Sequence, residues 1–229
     1  MNLKIALLFC LIITFIPTSG QESCSKYYNL EEGANFQYAN YGKNGSKEGS
    51  IQYEVHNVSH RDQDTEAWMK ITYKDTKDQE YLSSDYNINC IDNVVEIDYE
   101  SMISSETLKQ YKGKKMDISG SDIVLPNDLR IGQKLEDASV TMTMDVGGAK
   151  MNFQVDLINR SVEKKDATTT PAGSFDCYVI YSERVTKKMM QQTFPSRLWL
   201  AEGVGMIKQE TYDKGGNLMN SMVLTDYSN

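Results

Sequence analysis

The sequence predicts an all-β, mainly antiparallel fold: a meander of strands interrupted by one short helix near residues 104–112. Three observations carry that expectation. Apolar residues recur with period two: Val140, Met142, Met144 and Val146 alternate with Thr141, Thr143 and Asp145, and Met151, Phe153, Val155 and Leu157 with Asn152, Gln154 and Asp156. Such spacing puts every second side chain on one face of a strand. The runs are separated by short turns, as at Gly147-Gly148, where a tight hairpin needs the positive φ that glycine accepts. Only Ser104–Lys112 breaks the rhythm, with Leu108 and Tyr111 three apart, Ser at the start and Gly113 just beyond, the punctuation of a helix.

Taken from the N-terminus, Met1–Gly20 reads as an export signal. Lys4 is the basic start, Ile5–Ile16 is an unbroken apolar run, Pro17 ends it, and Thr18-Ser19-Gly20 offers small residues for cleavage near Gly20. The apolar run, about 12 residues long, is too short to span a bilayer, and no later stretch approaches a membrane helix. The mature chain is therefore expected to be soluble, in a periplasm or outside the cell. Strands are then expected at Asn35–Tyr41 and Gly49–Val58 around an Asn-Gly turn, and on the run holding Ala67, Met69, Ile71 and Tyr73. Further strands are expected at Glu80–Cys90 and Asn93–Tyr99. After the helix, Met116–Leu135 carries Gly120, Pro126 and Gly132 and reads as irregular or broken strand. The central hairpin follows, and a last one joins Val204–Tyr212 to Asn217–Thr225 through Asp213-Lys214-Gly215-Gly216. The count comes to roughly ten to twelve strands. No charge block, low-complexity tract or proline-rich linker divides residues 21–229, which are read as one domain.

Beyond Cys10 in the signal, the chain holds Cys24, Cys90 and Cys177. An odd number leaves at least one thiol unpaired in a monomer. Pairing Cys24 with Cys90 would tie the mature N-terminus to the middle of the chain and stabilise by roughly 4 kcal/mol in the chain-entropy model. Cys177, in the strand-like run Phe175–Ile180, is expected to be a small buried core residue rather than a nucleophile, because no histidine is placed beside it.

Composition excludes several chemistries. With 24 Lys+Arg against 32 Asp+Glu and a net charge of −8, the chain lacks the concentrated cations that nucleic acid binding requires. His56 and His60 lie four apart on a strand, about 13 Å from each other, too far to share a zinc ion. Acidic stretches such as Asp62-Gln63-Asp64-Thr65-Glu66 lack the glycine and terminal glutamate of a calcium loop. No nucleophile elbow, phosphate-cradling glycine loop or metalloprotease helix is present. No metal or other cofactor is expected. Chemistry, if any, would rest on paired carboxylates, which are plentiful but not singled out by their neighbours.

Methionine is the unusual component, with 12 in the chain. Met142, Met144, Met151 and Phe153 of the central hairpin, together with Met206, are expected on the inner face of a curved sheet. There they would either fill an irregular core or line an apolar cavity that adapts to varied ligands.

Three stretches, Thr170-Pro171-Ala172-Gly173-Ser174-Phe175-Asp176-Cys177-Tyr178, Trp199–Lys208 and the turn Tyr212–Gly216, resemble a family of exported envelope proteins of Gram-negative bacteria labelled TapB-like or of unknown function. The resemblance extends to Cys24, Cys90 and Leu125-Pro126-Asn127-Asp128-Leu129 with Gly132. It implies an antiparallel β-fold and, by analogy with periplasmic lipoprotein carriers, a half-barrel around an apolar cavity. The leading expectation is a non-enzymatic envelope protein that binds a lipid, another apolar ligand or a lipidated partner. The alternatives are a solid-cored structural or protein-interaction module with an envelope protein as partner, and a carboxylate-based hydrolase. A hollow interior separates the first from the second.

Overall fold

A computed structural model describes residues 24–228 except 112, 147 and 189. The expected export signal and its cleavage point therefore lie outside the described residues. The chain runs through β1 (Asn35–Gly42), β2 (Lys47–Arg61), β3 (Asp64–Lys74), β4 (Glu80–Ile91) and β5 (Val94–Ile97). A 3-10 turn (Tyr99–Met102) and α1 (Ser105–Gln110) come next. Then follow β6 (Met116–Ser121), β7 (Ile123–Pro126), β8 (Ala138–Val146), β9 (Ala149–Thr170), β10 (Gly173–Lys187), β11 (Gln191–Ala201), β12 (Gly205–Tyr212) and β13 (Leu218–Ser228).

All 13 strands join one antiparallel sheet in the order β6-β8-β9-β10-β11-β12-β13-β1-β2-β3-β4-β5-β7. The sheet is a nearly closed barrel. Its first and last strands pair side by side, with Phe36 opposite Tyr227 and Ala39 opposite Val223. Its two edges, β6 and β7, are consecutive in the chain and are joined by the single residue Asp122. The seam of the barrel is thus bridged by the backbone itself. Gly120 sits at that seam, where a Cβ would lie 2.2 Å from the Ser139 carbonyl oxygen and 2.8 Å from the Tyr99 ring, so only glycine permits the approach.

The stretch 116–135, expected to be broken strand, supplies these two edge strands and a loop. The loop pairs with β9 through Gly132 N–H to the Val162 carbonyl, 2.8 Å, and Val162 N–H to the Gln133 carbonyl, 2.9 Å. The central hairpin turns where expected. Asp145 opposes Lys150, and Gly148, with φ of 86°, donates its N–H to the Asp145 carboxylate at 2.8 Å. The helix is shorter than the segment read from sequence: Ser104 caps it by accepting from the Thr107 N–H, and it ends at Gln110. Ahead of it, Asp98 caps the 3-10 turn in the same way through Glu100 N–H.

The residues before β1 form a strap. The Cys24 carbonyl accepts from Asn127 Nδ2 at 2.6 Å, Lys26 is held by Asn127 Oδ1 and by Gly203 N–H, and Gly33 N–H donates to the Val55 carbonyl. Cys24 and Cys90 are bonded as a disulfide, with Cα atoms 5.9 Å apart, which anchors the strap to β4. Tyr27 and Leu30 of the strap are buried in the main core beside Val55, Ile88, Leu200 and Leu224. A separate apolar zone lies under the helical segment, where Met102 and Ile103 pack on Val140 and Val155, and Tyr111 packs on Met142 and Met144.

Candidate functional site

Each strand of the barrel turns alternate side chains inward, so the interior can be followed strand by strand. On β9, Phe153, Val155 and Leu157 share one face. The first two are covered by the helical segment, and Leu157 borders a cavity of about 230 Å³. The cavity is walled on the strap side by Tyr28 and Leu30 and on the helical side by Ser101 and Met102. Its far wall carries Tyr38, Tyr53 and Tyr86, with rings packed edge to face at 5.4 Å and 6.5 Å. The Tyr38 hydroxyl donates to the Met206 carbonyl at 2.8 Å. Burial pushes the Tyr28 phenol up to about 12 and those of Tyr38 and Tyr86 well above their ordinary range. These phenols are therefore neutral donors at any physiological pH, not bases.

A bulge changes the inward phase of β9. Asn159 takes φ of 55°, a left-handed conformation that asparagine tolerates, and the pairing with β10 shifts between Tyr181 and Glu183. Without the bulge the side chain following Leu157 on the inner face would be Asn159; with it, Arg160 turns inward and is 4% exposed. Arg160 Nη1 donates to the carbonyls of Val124, at the β7 edge, and Glu136, just before β8, so it also stitches the seam. Opposite the bulge, Ser182 on β10 faces Ser196 on β11, with their hydroxyls 2.7 Å apart. Arg184, two residues beyond Ser182, donates through Nη2 to the Met102 carbonyl at 2.6 Å. Arg160, Ser182, Arg184 and Ser196 all border the cavity.

Desolvation lowers the pKa values of Arg160 and Arg184, yet a guanidinium stays charged. Neither forms an ion pair among the described residues, although Glu136 and Asp137 act on Arg160 and Glu106 on Arg184 from farther off. A third arginine, Arg197, follows Ser196 on β11 and so turns its side chain to the outer face, where it donates two hydrogen bonds of 2.6 and 2.9 Å to Glu163. In a chain of net charge −8, no aspartate or glutamate borders this cavity.

Of the residues expected to line a cavity, Met206 does so. The structure takes the others elsewhere: Met142 and Met144 are sealed against Tyr111, and Met151 and Phe153 are partly buried on the same hairpin, because the helical segment covers this part of the inner face. Cys177 is buried and unpaired, its thiol pushed up to about 11 by burial, which leaves it protonated and unreactive at neutral pH. His56 and His60 are exposed, with His56 Nε2 3.3 Å from Asp85 and His60 Nδ1 3.2 Å from the Thr65 hydroxyl. No group of three or more potential metal ligands occurs among the described residues.

The family model described as DUF3108-like matches residues 31–224. No curated protein matches the sequence. Two crystal structures share the fold. One, of a candidate exported protein with a YmcC-like fold from Bacteroides fragilis, superposes with a TM-score of 0.76 at 17% identity, covering 90% of this chain and all of that one. The other, of a candidate lipoprotein from Parabacteroides distasonis, gives a TM-score of 0.76 at 20% identity, covering 89% of this chain and 99% of that one.

Proposed function

The chain belongs to the DUF3108-like family, and from that premise we propose that it is an exported, non-enzymatic envelope protein whose barrel holds one small apolar ligand. The narrower TapB-like assignment is part of the same proposal and rests on the Thr170–Tyr178 and Trp199–Lys208 stretches. Export is supported by the signal pattern of Met1–Gly20 and by the Cys24–Cys90 disulfide, a bond at home in oxidising compartments. No helix among the described residues is long and apolar enough to cross a membrane. The strands themselves carry ion pairs such as Lys164–Asp166, Arg197–Glu163 and Lys208–Glu210, which favours a water-exposed outer face over the apolar band of a membrane barrel.

The observation that carries the reading is the cavity: about 230 Å³ walled mainly by tyrosine, methionine, leucine and isoleucine. Close packing leaves few voids larger than a water molecule. An engineered apolar cavity of about 150 Å³ accepts benzene, so by proportion this one has room for roughly nine carbon atoms. That suits one medium-length chain and falls far short of the several acyl chains of a lipidated protein. Carboxylate-based hydrolysis inside this cavity would need acids that its wall does not supply; Glu31, Asp62 and Asp64 line a separate cleft beside the strap.

Native mass spectrometry of protein purified from its own envelope tests the proposal. A non-covalent adduct is expected, and Met206→Trp, which fills the cavity, should remove it. If the wild type carries no adduct and Met206→Trp raises stability, the interior serves packing alone and the protein is a structural or interaction module.

A further inference from the structure

Resting on the apolar-ligand reading above, we infer that the ligand is anionic: a single-chain amphiphile whose carboxylate or phosphate head is held by Arg160 and Arg184. The two arginines are neighbours by construction. The bulge places Arg160 opposite Ser182, and Arg184 follows Ser182 by two residues on the same strand and face. Adjacent strands lie about 4.8 Å apart and alternate residues about 7 Å, so the two guanidiniums spring from one small area of wall. The paired hydroxyls of Ser182 and Ser196 extend that area to β11 as a polar strip in a mainly apolar wall, which also carries Asn29, Ser101 and Gln209.

Each guanidinium offers five N–H donors. Arg160 spends Nη1 on two backbone carbonyls and Arg184 spends Nη2 on one. Neutral carbonyls satisfy hydrogen bonds but not charge. If these side chains served only to hold the seam and the helical segment, a neutral donor would do so without burying a cation. The arrangement instead leaves two positive charges on a wall free of carboxylates, while 32 acidic residues sit elsewhere in the chain. The planar fork of arginine matches carboxylate and phosphate oxygens alike. An acyl tail would lie along Tyr38, Tyr53 and Met206, and the head would meet the strip.

The test compares ten-carbon probes on the full folded protein by isothermal titration calorimetry: decanoate, decyl phosphate, decanol and decyltrimethylammonium. Decanoate or decyl phosphate should bind at least roughly tenfold more tightly than decanol, the margin of a charge-assisted contact, and the cationic probe should bind weakest. The preferred anion separates a fatty-acid ligand from a phosphate-headed one. Arg184→Gln should remove the anion's advantage and leave decanol unchanged. Arg160→Gln is the harder variant because Arg160 also closes the seam, so the wild-type ranking decides if it fails to fold. Equal binding of decanoate, decyl phosphate and decanol overturns the anionic head and leaves the apolar cavity standing. Failure of every probe to bind overturns both.

Discussion

Strand β9 crosses two halves of the barrel interior that are built from the same sheet and differ in what lies opposite. Under the helical segment, Phe153 and Val155 meet Met102 and Ile103, Met142 and Met144 meet Tyr111, and the space is filled. Past Leu157, the wall instead faces Tyr38, Tyr53 and Tyr86, stiff rings stacked edge to face that cannot collapse inward, and a cavity remains. Flexible methionine closes gaps where a helix presses on it, whereas tyrosines that brace one another hold a gap open. The hollow is decided by the partner across the barrel more than by the apolar content of any one strand.

The largest expected effect sharpens this contrast. Met142 has no exposed surface, so Met142→Asp buries a carboxylate without a partner and should cost about 5 kcal/mol. Met206→Asp, beside the cavity where water can follow the charge, should cost less than half of that in the same urea titration. Equal losses would mean that the two halves are equally dry.

The disulfide comes next. Closing a loop of 66 residues is worth about 4 kcal/mol in the chain-entropy model. Cys90→Ser should therefore lower the urea midpoint strongly, and hydrogen exchange should show the strap and the cavity wall losing protection before β8 and the start of β9. Uniform loss would erase the distinction between the halves.

Gly120→Ala should cost about 2 kcal/mol, because the Ser139 carbonyl and the Tyr99 ring must both yield. That strain falls at the seam on the filled side, so probe binding in the cavity should survive. Thermal melts with and without decanoate check both halves of the statement.

The smallest effect is on the outer face. The hydrogen bonds from Arg197 hold the Glu163 carboxyl below its ordinary value. A depressed carboxylate stabilises the fold above its unfolded pKa of about 4.3, and that contribution fades as pH falls through the lower folded value. Because the pair is about one-third exposed, the contribution should stay below about 1 kcal/mol. Glu163→Gln should flatten the decline in melting temperature between about pH 5 and 3 without touching the filled half.

Much of the architecture is legible in local sequence. Period-two runs, the turn at Gly147-Gly148 and the Ser104 cap each announce an element through bonds made within a few residues. The edge strands β6 and β7 do not, since Met116–Pro126 is short, rich in polar residues and made regular only by partners at Ser139–Met144 and Val94–Ile97. Nor does β9 announce its full length, because alternation fails at Asn159 where the bulge resets it. That same reset hides Arg160, which by unbroken alternation would point outward. The resetting residue offered the available signal: an asparagine, tolerant of positive φ, set between apolar Ile158 and a lone arginine. The tyrosine wall gathers residues 38, 53 and 86 from three strands, a meeting that only the register of β1 to β4 creates.

The pairing of β1 with β13 also governs when the protein can fold. Phe36 finds its partner in Tyr227, almost the whole described chain away, so the barrel cannot close until the last strand has been made. Ordering so long a loop before its contacts form is slow. The growing chain therefore stays open until its last strand is made. The Cys24–Cys90 disulfide, by contrast, closes a loop that holds only β1 to β4, so its two ends do not wait on that last pairing.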